Sequence, residues 1–234
     1  MKGLLDVAVL HAADAERAEA GGADRLTLLD RLGPDALSPE PAVLGQVRRA
    51  TTRPVRVLVR LREGFSTDGG ELIRLQGLIG RYVDAGADGL VLGFLNSHTE
   101  IDTGVITALM TGIELGWTFD RAVDSCISTD RAWRELRQLP GLDQVLTAGS
   151  ARGVGDGLDD LLTRVRTDDF ARAVVMAGGD LLPEHVPWLV RAGVRAFHVD
   201  AAVRPLGSAK AYVDADLVGT WRTLIDAAVG RSDR

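Results

Sequence analysis

Lysine is almost missing from this chain. Of its 27 basic residues only Lys2 and Lys210 are lysines, and the rest are arginines. A Schiff-base lysine needs a desolvated position at a strand end. Lys2 precedes the first apolar segment and Lys210 falls in a late loop, so class I aldolase chemistry is not expected. Cysteine occurs once, as Cys126. That rules out an internal disulfide and fits a reducing compartment, hence a cytoplasmic location. The four histidines are scattered and show no zinc or copper ligand spacing. The residues therefore announce no metal site and no other cofactor. No apolar run approaches the roughly 20 residues that span a bilayer, so no membrane partner is expected. The first segment is interrupted early by Asp6 and reads as a strand, not a leader peptide. A net charge of −6 argues against nucleic acid as a partner. Self-association as a homodimer is left open.

What is present is an ordinary globular composition, 46% hydrophobic and 26% charged over 234 residues. No linker or composition shift divides it, so one domain over 1–234 is expected. Eight apolar strand patterns alternate with helical ones, at 4–10, 24–29, 54–60, 89–94, 113–119, 143–147, 172–176 and 195–199. Helices are predicted over 11–20, from Ser38-Pro39 to Ala50, 70–84, 103–111, 128–139, 156–166, 183–192 and 214–229. Segments 30–37 and 200–213 read as loops and 230–234 as a frayed end. The recurring AGGADRLTL (20–28), AGADGLVL (85–92) and AGVRAFHV (192–199) each end a helix in Ala-Gly just before a strand, as βαβ units require. This grammar predicts a single (β/α)8 barrel, with an irregular or incompletely closed barrel as its variant.

In such barrels ligands bind at the carboxyl ends of the strands. The most informative strand end is Leu115–Cys126, LGWTFDRAVDSC, where an apolar strand releases Asp120, Arg121 and Asp124. Asp6, Asp120, Asp124 and His198 are candidate acid–base groups. Arg60, Arg62 and Arg121 are candidate grips for a carboxylate or phosphate. Arg60 and Arg62 have the same strand parity, as do His198 and Asp200. The competing reading pairs these arginines with Asp6, Asp120 or Asp124 in a purely structural network. Thr147 sits at another strand end. Gly178 and Gly179 could bring backbone N–H groups to a phosphate, although Asp180 beside them would repel it. His11, His98 and His185 read as loop or surface residues. Trp117, Trp133, Trp188 and Trp221 read as packing, and Cys126 as a small inert side chain.

These residues carry a family resemblance over nearly the whole chain. GADRLTLLDRLGPDALSPEPAVL resembles a segment that reads GADRVELC in the copper homeostasis protein CutC family. PVRVLVRLREGFSTDGGE is similar to that family's PV-x-x-x-IRPR-x-GDF-x-Y-x-x-xE. TFDRAVD (118–124) stands against TFHRAFD, VLTAG (145–149) against VLTSG, VVMAGGDL against IMAGAGV, and FHVDAA against VHSSA. The resemblance implies a CutC-type TIM barrel, and by family name a role in copper homeostasis, with copper as the only implied cofactor. The departures are specific. Asp6 stands for a Glu, Thr27 for the Glu of VELC, Leu29 for its Cys, Asp120 for the His of TFHRAFD, and Asp180 for a glycine. The family's strand cysteines have been linked to copper, and here those strands contain none. Three functions follow: a copper-handling protein; a barrel enzyme or binder acting on a small anionic metabolite at the rim; or a barrel that has kept its fold and lost its chemistry.

Overall fold

The computed structural model describes residues 2–33 and 35–232. Pro34, in the predicted 30–37 loop, and the last two residues of the predicted frayed end lie outside that range. Eight parallel strands form the sheet: β1 Leu4–Val9, β2 Arg25–Leu28, β3 Val55–Leu58, β4 Gly89–Leu92, β5 Trp117–Phe119, β6 Leu142–Thr147, β7 Val175–Ala177 and β8 Ala196–Val199. Each pairs with its sequence neighbour, and β8 returns to β1 with Leu4 opposite Ala196 and Val7 opposite Val199. The barrel is therefore closed, which removes the open variant. One irregularity remains, a register shift between Trp117 and Thr118 where β5 meets β6.

Strand alternation divides the core in two. In β3 the odd positions Val55, Val57 and Val59 face outward and are almost wholly buried beneath the helices. The even positions Arg56, Leu58 and Arg60 face the barrel axis. Outward residues of every strand join one large apolar layer. The interior is different. It holds two small apolar groups, one around Leu58 and Val91 and one around Leu146 and Met176. Between them lies a set of charges.

The covering helices are α1 Ala12–Ala20, α2 Pro41–Ala50, α3 Gly69–Asp84, α4 Thr103–Met110, α5 Thr129–Leu136, α6 Val154–Thr167, α7 Asp169–Val174, α8 Val186–Ala192 and α9 Ala215–Ser232. Side-chain caps start several of them: Asp68 accepts from the Glu71 N–H and Asp102 from the Val105 N–H. Ser38 does not cap α2 as predicted. Its hydroxyl accepts from the Arg60 N–H at 2.8 Å, and its own N–H donates to the Arg60 carbonyl. The helix begins at Pro41 instead, where proline suits the first turn. The predicted strand 172–176 is half helix. The Asp168 carboxylate accepts from the N–H groups of Phe170 and Ala171 and starts α7, leaving only Val175–Ala177 for β7. Cap chemistry here outweighs the β-like FARAVV pattern. The helix expected at 183–192 opens with a 3-10 turn, Pro183–His185, and α9 runs on to Ser232.

Two single-residue readings are also corrected. His185 is buried, its Nδ1 accepting from the Leu182 N–H. Trp188 is 51% exposed rather than packed. His11, as expected, lies outside the helix at the surface, where it is the N-cap of α1.

α6 packs tightly on the barrel at Gly157. A Cβ there would meet the Ala148 carbonyl at 2.3 Å and Gly149 C at 2.5 Å. Gly155, two residues earlier, has open space around it. Gly157→Ala should therefore lose about 1–3 kcal/mol of stability by overpacking. Gly155→Ala should be neutral or gain up to about 1 kcal/mol of helix propensity. Urea unfolding of the two variants checks both signs.

Candidate active site at the barrel mouth

The carboxyl ends of the strands enclose a cavity of about 270 Å³. Its charged lining is Arg60 from the end of β3, Asp120 and Arg121 from the end of β5, Asp180 after β7, and His198 and Asp200 at the end of β8. Leu29, Leu58, Phe65 and Val91 form an apolar wall.

Beneath the cavity lies a buried, densely hydrogen-bonded carboxylate. Asp6 is fully buried. Its Oδ2 accepts from Arg25 Nε at 2.5 Å, and its Oδ1 accepts from Thr27 Oγ1 at 2.7 Å. His198 Nδ1 lies 3.1 Å from the same Oδ1. Burial pushes the Asp6 carboxyl up, but the Arg25 charge and the hydrogen bond and charge of His198 together outweigh it and hold the group far below the usual carboxylate range. An ionised Asp6 is a hydrogen-bond acceptor, so Nδ1 of His198 donates to it and Nε2 is the nitrogen turned to the cavity. One layer lower, Arg56 makes a bidentate bond to Asp143 at 2.6 and 2.5 Å and donates to Thr118 at 2.6 Å. These arginines, Arg25 and Arg56, were not anticipated. Their positions in RLTL and VRVL alternate with apolar residues, and that spacing was the available signal.

Arg60 is buried at the cavity edge. It forms an ion pair with Asp120, and its guanidinium lies 4.7 Å from the centroid of Phe65. Asp120 also caps the following turn by accepting from the Ala122 N–H at 2.9 Å. Arg121 Nε donates to Asp124 at 3.0 Å, and Nη2 donates to the carbonyls of Ser150 and Ala151. Its guanidinium lies flat on Gly179, where any Cβ would come within 2.6 Å of it and where φ is 95°. Glycine is required there to seat Arg121, a different role from the backbone phosphate grip expected of it.

Four other candidates are not brought into the mouth. Arg62, past the end of β3, turns away to Asp68 and to Glu71 at 2.7 Å. Strand parity ceases to apply once the strand has ended. Thr147 faces outward from β6 and donates to Asp124 Oδ1 at 2.5 Å. Asp124 accepts in addition from the Ala148 N–H. Together they latch the β5 and β6 loops and line a separate outer cavity of about 330 Å³ beside α5 and α6. Burial raises the Asp124 carboxyl, against the lowering effect of these hydrogen bonds and Arg121. Gly178 spends its N–H on the Thr147 carbonyl at 3.1 Å, so it has none for a phosphate. A side chain at Gly178 would strike Leu146 and His198. Cys126 is half-buried outside the mouth, its thiol 3.6 Å from the Ala122 carbonyl. Burial and the charges of Glu135, Asp124 and Glu100 push that thiol up to about 12. Among the described residues no three His, Cys, Asp or Glu side chains are grouped to hold a metal ion.

The CutC family model matches residues 4–203. The chain belongs to the CutC family. A CutC family protein of Klebsiella pneumoniae is 32% identical over 200 residues, covering 85% of this chain and 80% of its own length. One from Xanthomonas axonopodis pv. citri is 33% identical, with 84% and 82% covered. Among solved structures, the copper homeostasis protein CutC of Streptococcus agalactiae superposes with a TM-score of 0.75 at 24% identity, covering 84% of this chain and 97% of that one. Thiamine phosphate pyrophosphorylase of Pyrococcus furiosus shares the fold, with a TM-score of 0.63 at 16% identity and 97% of each chain covered. No helix among the described residues is long and apolar enough to cross a membrane.

Two predictions follow from the buried charges. Removing one partner of the Arg60–Asp120 pair strands the other in a poorly solvated site. Arg60→Met or Asp120→Leu alone should cost about 3–5 kcal/mol, and the double variant should recover most of it; chemical denaturation of the three variants measures this. The carboxyl of Asp6 is held below its unfolded value, so its contribution is complete above about pH 4 and is lost as pH falls further. The melting temperature should drop on acidification below about pH 4, and less steeply in Asp6→Asn than in the parent chain.

Proposed function

We propose that the barrel mouth carries out acid–base chemistry on a small metabolite bearing a carboxylate or phosphate, inside the cytoplasm. The observation that supports this reading is the His198–Asp6 pair beneath a concave cavity. A buried carboxylate that fixes the Nδ1 proton leaves Nε2 as a base, or after protonation as an acid, aimed at a bound molecule. Asp6 orients and stabilises this group without contacting substrate, and Arg25 and His198 itself keep Asp6 ionised. Of Arg60, Arg62 and Arg121, Arg121 is the residue that faces an anion in this reading. Its Nε and Nη2 are engaged, while the edge that carries Nη1 lies against Gly179 in the cavity lining. Arg60 is buried against Asp120 and Phe65, so its role is to shape the floor and hold Asp120. A cavity of about 270 Å³ falls just below the range usual for drug-sized ligands, which fits a small metabolite.

Copper handling is the role named for the streptococcal relative. Cuprous ion is selected by soft thiolate and thioether ligands. The one thiol here is held protonated and lies outside the mouth. The residues present therefore do not fit a copper centre, and no step of the proposed chemistry runs through one.

The test is a thermal-shift screen of the purified chain against phosphorylated and carboxylated metabolites, with Cu(I) under reducing conditions as a separate arm. A ligand at 100 times its Kd adds about 2.7 kcal/mol of stability, so a weak binder at millimolar concentration registers. The expected result is a shift with an anionic compound that falls by more than half in Arg121→Ala and persists in His198→Gln. Stabilisation by Cu(I) alone would overturn the proposal.

A further inference from the structure

Resting on the reading of Arg121 as the anion-facing residue, we infer that Asp124 is the positioning residue for that grip: it fixes the guanidinium so that Nη1 alone is left to hold a carboxylate or phosphate. By sequence Asp124 is a candidate acid–base group. Its place in the fold keeps it from touching a molecule in the mouth. Asp124 lines the outer cavity beside α5 and α6 and not the mouth, and its side chain is 2% exposed. Both carboxylate oxygens are engaged. Oδ1 accepts from Thr147 Oγ1 at 2.5 Å, and Oδ2 accepts from the Ala148 N–H at 2.9 Å and from Arg121 Nε at 3.0 Å. Two of these three donors belong to the end of β6. Thr147 is itself buried, and its Oγ1 accepts from the Gly149 N–H at 3.0 Å. The carboxylate thus carries the fixed geometry of the barrel wall to a side chain that starts on a different loop.

A guanidinium offers five N–H donors in one plane. In Arg121, Nε donates to Asp124, and Nη2 donates to the carbonyls of Ser150 and Ala151 at 2.9 and 3.1 Å. One face of the group lies on Gly179. The N–H groups of Nη1 have no acceptor among the described residues. Forks that use Nε or Nη2 are closed, so an anion meets Nη1. A single-nitrogen contact is weaker than a bidentate one. The mouth also contains Asp180 and Asp200, which repel an anion. Affinity then depends on holding the guanidinium in place before the anion arrives, so that no rotamer freedom is lost on binding. Asp124 makes the one ion pair of Arg121 among the described residues. Its other partners are neutral carbonyls, and the side chain is 28% exposed. Without the Asp124 charge it is free to swing toward solvent.

Isothermal titration calorimetry of the full chain with phosphoglycolate and with inorganic phosphate tests this through a double-mutant cycle. Asp124→Asn removes the charge and sets an NH₂ among donors. It should weaken phosphoglycolate binding about tenfold in the parent chain and less than about twofold in an Arg121→Ala background, because Asp124 acts only through Arg121. Thr147→Val, close in volume, loosens Asp124 without touching Arg121 and should weaken binding about threefold. A ligand-free readout accompanies these. The Arg121 Nε–H signal in ¹⁵N NMR, assigned by its loss in Arg121→Ala, should resist exchange with water in the parent and broaden away in Asp124→Asn. Equal affinity in the parent, Asp124→Asn and Thr147→Val overturns the inference and leaves the anion reading standing. It is also overturned by a loss of the same size with and without Arg121, since Asp124 would then act on the mouth at large, and by an Nε–H signal that Asp124→Asn leaves unchanged. If the parent chain binds neither compound, the anion reading falls and the inference falls with it.

Discussion

The Asp6 carboxylate is the constraint on which the rest of this barrel depends. A charge fully removed from water is tolerable only when every lone pair finds a donor. Arg25, Thr27 and His198 supply those donors from the two strands flanking β1. The pairing of β1 with β2 and with β8 is thereby tied to a single side chain, at the seam where the barrel closes. On the opposite side buried Arg56 and Thr118 bond to each other, and Arg56 reaches out to the exposed Asp143. The interior is consequently held by matched charges as much as by apolar packing. Such a network specifies one register strongly, because a slip by one residue would turn every one of these side chains into the apolar outer layer.

The fold was largely legible because outward-facing strand positions follow a simple rule. Val55, Val57 and Val59 are apolar whatever the site does, and the Ala-Gly helix ends mark where each strand must begin. Legibility failed where local chemistry competed with the pattern. Asp168 made a helix of half the expected seventh strand, and Ser38 was drawn from its helix by the end of β3. Whether the barrel closed depended on the β1–β8 pairing, which joins the two extremes of the pattern and which no local signal reports.

The site was legible residue by residue only in part. Asp120, Arg121 and His198, read as strand-end residues, line one cavity, and Asp6 lies beneath it against His198. Arg62, Asp124 and Thr147 shared the same sequence credentials and are directed elsewhere. The difference lies in one or two residues of loop after each strand, where alternation no longer constrains direction. The departures from the family pattern show more order in space than in sequence. Thr27, Asp120 and Asp180 line one cavity, and Asp6 lies beneath it. Thr27 donates to Asp6, and Asp120 pairs with Arg60, so two of the replaced residues are bonded to residues that the rest of the mouth requires.

Cys126 carries a separate consequence. With its thiol pushed up to about 12 by burial and nearby carboxylates, Cys126 stays protonated at neutral pH. The folded chain is thus slow to air-oxidise, alkylate or cross-link. The residue directly follows the Arg121–Ser125 turn that Asp124 fastens to β6. Its low reactivity in the folded chain therefore comes from protonation as well as from partial cover, at the point where the β5 loop is fastened to β6.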